Sequence, residues 1–205
     1  MIKLMNKAIS HSFAAARKAM KIILLTHERE LSRKTNTGQL ALAAFPEEVK
    51  SIVWSRTAPD NDLVAMLASQ QAKLLFPAID TEHTGPIDQN ALDTDLAEPV
   101  LSNAQMLLAA AQSTVIAELM PSQVVILDAT WQEARKMLRQ SPYLKTAARV
   151  SLPPLMPESA FILRRNQQEG GLCTAECIIA LWRQCGRAEQ AALLASLFTE
   201  LNSRT

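Results

Sequence analysis

The sequence predicts an α/β domain in which a mostly parallel sheet is covered by helices on its faces. Three features point there. Short runs of Val, Ile and Leu alternate with longer stretches of helical period along the chain. The runs are apolar at nearly every position, as in strands buried on both faces. The 205 residues, 48% hydrophobic and 20% charged, are enough to bury one full core.

Taken in order, Lys21 to Thr26 reads as a first strand and Thr37 to Phe45 as a helix that opens just after a turn. Val49 to Ser55 is a second strand, Asp62 to Gln71 a helix, and Lys73 to Pro77 a third strand stopped by its proline. Asp80 to Pro99 is polar and broken by Gly85, Pro86 and Pro99, so it reads as a long excursion between elements. A helix over Ser102 to Leu119 follows, then a strand over Val124 to Leu127 and a helix over Gln132 to Arg139. Ala148 to Leu152 and Ala160 to Leu163 are short strands, and from Ala175 the pattern is helical to the end with a break near Gly186. Neither a repeat nor an interdomain linker is visible. The organisation expected is an extension over residues 1–20 and one domain over 21–205.

Composition bounds the setting. No apolar run approaches the roughly 18 residues that span a bilayer. The first residues, with Lys3, Lys7, His11, Arg17 and Lys18 scattered among apolar ones, lack the uninterrupted apolar core of a secretory signal. A cytoplasmic protein without membrane contact is the expectation. Cys173, Cys177 and Cys185 are odd in number and suit reduced, buried thiols better than a disulfide framework. With no further cysteine or nearby histidine they make a poor zinc site, so no metal is expected. The net charge of +1 hides an asymmetry. Basic residues crowd the segment from Lys3 to Lys34 and that from Arg135 to Arg165, while Asp60 to Glu118 is acidic. Folded onto one face, the two basic segments would attract phosphate; as ordinary helix faces they would only be solvated.

The most informative stretch is Val124 to Met137, where an apolar strand stops at Asp128 and a helix begins almost at once. In parallel sheets the C-terminal strand edge opens onto the ligand crevice, and Asp128 sits on it. Thr130 can cap the helix with its hydroxyl, leaving Asp128 free to face a ligand near the positive helix end. Alternatively both residues serve only as caps. Three further loops stand at strand or helix ends: Lys34-Thr35-Asn36-Thr37-Gly38, Trp54-Ser55-Arg56-Thr57, and the run from Arg164 through Gly170-Gly171-Leu172-Cys173-Thr174-Ala175-Glu176. The Asn-Thr-Gly turn offers backbone amides to an anion, or merely caps its helix. None of these loops matches the dinucleotide or phosphate-loop glycine patterns, and no G-x-S-x-G or H-E-x-x-H occurs.

Together and in this order, these segments resemble the DTW-domain family, the tRNA-uridine aminocarboxypropyltransferases. The carriers are Thr35-Asn36-Thr37-Gly38, Trp54-Ser55-Arg56-Thr57, Asp128-Ala129-Thr130-Trp131 with Glu133 to Met137, Ser141-Pro142-Tyr143-Leu144, and Glu169-Gly170 through Thr174-Ala175-Glu176. The resemblance runs from about Lys21 to the C-terminus. It implies a fold related to the SPOUT-type methyltransferases, with a trefoil knot in the C-terminal half formed around Asp128 to Glu176. It also implies S-adenosylmethionine as substrate and tRNA as partner; a monomer is the expected oligomeric state. Two departures stand out. The family carries a cysteine-rich zinc-binding segment before the first strand, whereas Met1 to Met20 has no cysteine, and Cys173 stands where the family often has serine.

The implied chemistry is transfer of a 3-amino-3-carboxypropyl group to N3 of a uridine, with release of methylthioadenosine. On the resemblance, Asp128 acts as the base for the ring N–H or binds the ammonium of S-adenosylmethionine. Trp131 stacks on a base or packs. Thr37, Ser55, Leu127, Leu172 and Thr174 line the pocket, largely through backbone groups. Glu176 binds the ammonium or caps the last helices. Arg56, Arg135 and Lys136 meet RNA phosphate or the carboxylate of S-adenosylmethionine, and Arg139 extends the RNA-binding set. Two other readings remain: a SPOUT-type RNA methyltransferase that also uses S-adenosylmethionine, and a catalytically silent RNA-binding module.

Overall fold

The computed structural model describes residues 20–76, 121–152 and 171–203. Within them the chain runs β1 (Lys21–Thr26), a 3-10 turn (Glu28–Glu30), α1 (Gly38–Ala44), β2 (Val49–Val53), α2 (Asn61–Ala68), β3 (Ala72–Leu75), β4 (Gln123–Asp128), α3 (Trp131–Gln140), α4 (Pro142–Lys145), β5 (Arg149–Val150), α5 (Thr174–Gln184) and α6 (Ala188–Ser203). The five strands form one sheet in the order β2-β1-β4-β3-β5, and every pairing is parallel. The α/β class and parallel sheet expected from the sequence are present. The Ser102 to Leu119 helix, the Asp80 to Pro99 excursion and the Ala160 to Leu163 strand lie outside the described residues, as does the threading that would close a knot.

Alternation along β1 and β4 divides the core into two. Ile22, Leu24, Val124 and Ile126 face one side, where Ala41 of α1, Ile178, Leu181 and Trp182 of α5 and Leu194 of α6 pack on them. Ile23, Leu25, Val125 and Leu127 face the other, against Leu63 and Leu67 of α2, Met137 and Leu138 of α3 and Leu144 of α4. Each central strand is thus apolar on both faces because helices cover both. At ~1.5–3 kcal/mol per fully buried aliphatic side chain, these two layers are the main stabilising term.

The central pair fixes the site. Register places Thr26, the last residue of β1, directly opposite Asp128, the last of β4. On the other side Thr26 is opposite Val53 of β2. The C-terminal ends of β2, β1 and β4 therefore lie side by side. The ladder beyond Val53 is one bond long, from Trp54 N to the Thr26 carbonyl (2.8 Å), so β2 stops two residues short of the Ser55 expected.

The opposite edge is locked by Arg187. Its guanidinium donates to the Met20 carbonyl (3.1 Å) and to Glu48 Oε1 (2.9 Å) and lies 5.4 Å from the Trp182 ring centroid. It sits there because α5 ends in a left-handed turn at Gly186 (φ 69°), with Arg187 N bonding back to the Trp182 carbonyl (2.8 Å) and Gly186 N to the Arg183 carbonyl (3.1 Å). This is the break seen near Gly186 in the sequence. Among the described residues no helix is long and apolar enough to cross a membrane. The three cysteines are free thiols, and burial, ahead of nearby acidic groups, pushes both Cys173 and Cys177 up to about 12.

Candidate functional site

Three of the sequence motifs meet at the C-terminal edge of β1 and β4. Asp128 is the centre. Its side chain is turned inward and the residue is only 2% exposed. Oδ2 accepts from Asn36 Nδ2 (3.0 Å) and from Thr26 Oγ1 (3.2 Å), while Oδ1 accepts from Thr174 Oγ1 (2.9 Å). One carboxylate thus ties the end of β1, the loop before α1 and the first turn of α5. The expectation that Thr130 frees Asp128 to face a ligand holds in its first half alone. Thr130 does cap α3, but the Asp128 carboxylate is turned to three protein donors.

The loop before α1 is built around Asn36. Its amide also donates to the Glu30 carbonyl (3.1 Å), and its Oδ1 accepts from Gly38 N (2.8 Å). Gly38 is required here by close approach, since a Cβ on it would stand 2.9 Å from Asp128 Oδ1. Thr37, buried beside it, caps nothing with its hydroxyl in its own helix; Oγ1 accepts instead from Ala175 N (3.2 Å) of α5. Thr174 gives its hydroxyl to Asp128. Glu176 turns back on its own helix end, where Oε2 accepts from Cys173 N (2.8 Å), the capping alternative of the two that the sequence left open. Leu172 is half-buried just before α5, and Leu127 points into the core under α3.

The Asp128-to-Trp131 turn is a complete capping box. Glu133 N donates to Thr130 Oγ1 (3.3 Å), and Glu133 Oε2 accepts from Thr130 N (3.1 Å) and Oγ1 (2.8 Å). Such a cap is worth ~1 kcal/mol. Burial opposes the Glu133 charge and is the largest single influence. The Thr130 hydroxyl and amide, with the Arg33 and His27 charges, together outweigh it and hold the carboxyl below its ordinary value of 4.5. Arg33 bridges Glu133 (3.8 Å) and the fully buried Glu30, and Arg29 lies 3.7 Å from Glu133. The helix thus starts with its backbone fixed and Trp131 directed outward.

Trp131 is 36% exposed and stacks on Phe76, centroids 5.4 Å apart and planes 10° apart. The Arg149 guanidinium lies 5.4 Å from the same Phe76 centroid. Beyond β1, His27 stacks on Trp54 (5.5 Å, 23°), whose Nε1 donates to Ser141 Oγ (2.9 Å). This joins the Trp54 turn to the Ser141-Pro142-Tyr143-Leu144 motif. Ser55 and Arg56 follow in the same turn; Ser55 Oγ accepts from Ala58 N (3.1 Å), and Arg56 is exposed. No hydrogen bond among the described residues joins either one to the Asp128 cluster. On α3, Lys136 and Arg139 are exposed and Arg135 half-buried.

The structure therefore brings Asp128, Thr37, Thr174 and Glu176 together and leaves Ser55 and Arg56 across β1. Sequence reasoning missed Thr26, His27 and Phe76 as parts of the site, and had Gly38 and Glu133 as motif residues without their roles. Asn36 was in a recognised turn, yet its contact with Asp128 spans 92 positions and leaves no local signal. Glu133 did leave one, the T-x-x-E spacing of a capping box.

No solved structure matches the chain. The DTW domain matches over residues 3–205. That range takes in every motif described above, and the chain accordingly belongs to the DTW-domain family, which is related to the tRNA-uridine aminocarboxypropyltransferases.

Proposed function

We propose that this protein transfers the 3-amino-3-carboxypropyl group of S-adenosylmethionine to N3 of a uridine in tRNA, on a SPOUT-like domain knotted around Asp128 to Glu176. Family membership points to a tRNA-modifying enzyme. The observation that carries the finer reading is the meeting of the Asn36, Asp128 and Thr174 motifs at one sheet edge, beside an exposed indole. Such an edge is where parallel sheets bind ligands.

The reaction is a displacement. Uridine N3 forms a bond to the γ-carbon of the methionyl chain, and the bond from that carbon to sulfur breaks. Its electron pair returns to sulfur, so the sulfonium leaves as neutral methylthioadenosine, and the N3 proton passes to a base or solvent. The sulfonium carries three electrophilic carbons. Aligning the γ-carbon with N3 is the main catalytic task, and alignment of this kind is worth several kcal/mol. Rigid strand ends and bonded loops suit that task.

In this reading the edge formed by Thr37, Leu127, Leu172, Thr174 and Glu176, with Ser55 across β1, receives S-adenosylmethionine. The hydroxyls of Thr37 and Thr174 and the Glu176 carboxylate are spent on protein donors and acceptors, so these residues would present mainly backbone groups. Trp131, backed by Phe76, offers one indole face to the uracil or a neighbouring base. Arg56, Arg135, Lys136 and Arg139 would meet tRNA phosphates.

The test is incubation of the full chain with tRNA and S-adenosylmethionine. Release of methylthioadenosine with a uridine heavier by one aminocarboxypropyl group is the expected result. Adenosylhomocysteine would replace the reading with methylation, and calorimetry showing tRNA binding but no S-adenosylmethionine binding would replace it with a silent RNA-binding module.

A further inference from the structure

We infer that Asp128 is a positioning residue, whose carboxylate holds the Asn36 loop and the first turn of α5 at the crevice and takes no proton from the substrate. The inference rests on the transfer reading for its kinetic test and on geometry for the rest.

A general base must reach the proton it removes at hydrogen-bond distance. Asp128 is 2% exposed, and both of its oxygens accept from protein donors: Asn36 and Thr26 on Oδ2, Thr174 on Oδ1. Gly38 closes a further side, with no room for even a methyl group beside Oδ1. A uracil ring approaching this edge would meet the donors before the carboxylate.

What the carboxylate does instead follows from where those donors sit. Thr26 ends β1, Asn36 is the middle of the loop before α1, and Thr174 opens α5. Asn36 in turn holds Gly38 N and the Glu30 carbonyl, and the neighbouring Thr37 hydroxyl holds Ala175 N. One side chain with three donors thus ties the end of β1, the loop before α1 and the first turn of α5 to the end of β4. A misplacement of about 1 Å at a reacting centre is enough to cost about 10²-fold in rate, which makes this junction kinetically important without proton transfer.

Asp128→Asn separates the roles. An asparagine has the same shape, its oxygen can accept from Asn36 and Thr26, and its amide can donate to the Thr174 hydroxyl, which accepts as readily as it donates. The cross-links survive and the basicity does not. We expect Asp128→Asn to keep methylthioadenosine release at saturation within about tenfold of the native rate, with the acid limb of the kcat/KM profile unmoved. Asp128→Ala should lose about 10²-fold or more, the scale of misplacement. Asn36→Ala should fall in the same direction, and the double alanine variant no further than Asp128→Ala, since both break one junction.

Amide hydrogen exchange reads the junction without any reaction. Protection at Gly38 and Ala175 should persist in Asp128→Asn and fall in Asp128→Ala, or in Thr174→Val if the alanine variant does not fold. A loss of 10²-fold or more in Asp128→Asn with protection intact and the acid limb abolished would make Asp128 the base and overturn the inference. Loss of S-adenosylmethionine affinity with turnover at saturation kept would make it an ammonium ligand and overturn the inference equally. If the native protein releases no methylthioadenosine, the transfer reading fails, and unchanged exchange at Gly38 and Ala175 in Asp128→Ala would still overturn the junction on its own.

Discussion

Gly38 lies beneath Asp128 so closely that a Cβ on it would stand 2.9 Å from Oδ1 and 3.1 Å from Cγ. Gly186 is the opposite case: its φ is +69° and nothing lies within 4 Å of its Cβ direction. The two glycines are there for different reasons. Gly38→Ala must displace the Asp128 carboxylate or the Asn36 amide beside it, an overpacking change of about 1–3 kcal/mol, and should lower the melting temperature and the proposed transfer together. Gly186→Ala should cost about 1 kcal/mol of backbone strain and leave transfer at its native rate below the melting range. Thermal unfolding and turnover of both variants check this, and an unperturbed Gly38→Ala protein would contradict the packing described.

Arg187 is buried at the edge farthest from the site and holds the starts of β1 and β2 through Met20 and Glu48. Arg187→Leu leaves the Met20 carbonyl and the Glu48 carboxylate without this donor. The expected loss is about 2–3 kcal/mol, read by denaturant midpoint, with unchanged turnover at low temperature. A rate defect in the folded variant would show that the two edges are coupled.

The Glu133 carboxyl is held below its ordinary value of 4.5, so its contribution to stability has a definite sign. It is fully present above about pH 4.5, the unfolded value, and is lost as pH falls through the lower folded one. Glu133→Gln keeps a partner for Thr130 but removes the charge that faces Arg33 and Arg29. The melting-temperature gap between native and Glu133→Gln proteins should therefore be at its full size above about pH 4.5 and shrink as pH falls below it. A gap that is constant across that range would remove the ionic part of the argument.

How much of this was legible in the sequence depends on the range of the interaction. β1 was readable to its last residue, because Ile22 to Leu25 are apolar on both faces and Thr26 breaks the run. The α3 start was readable because a capping box is local. By contrast, the strand order was not, since β3 pairs with the later β4 and β5 through crossovers that leave no periodic trace. The four-residue α4 went unread for lack of length. At the site, Asp128 and Thr174 stood out as motif residues, yet that one bonds the other is a fact of tertiary packing. The same packing reverses the inference drawn from Thr130, since a satisfied cap says nothing about where the preceding aspartate turns.

The proposed tRNA contact along α3 makes the last prediction. Lys136 and Arg139 lie on the solvent face of α3, on the side of the sheet carrying α2 and α4, and the half-exposed Arg33 and the largely exposed Arg29 adjoin its first turn through Glu133. Arg183 is also exposed but sits on α5, against the opposite face. Neutralising a phosphate releases counterions, so each lost contact lowers the slope of log affinity against log salt by about one unit. Lys136→Glu and Arg139→Glu should each weaken tRNA binding and lower the slope by about that amount, while Arg183→Glu, with the same charge change, leaves it unmoved. Affinity measured by filter binding or anisotropy at four or five salt concentrations decides it. Equal slopes for all three variants and the native protein would mean that α3 is merely solvated by its charges and that tRNA approaches from another side.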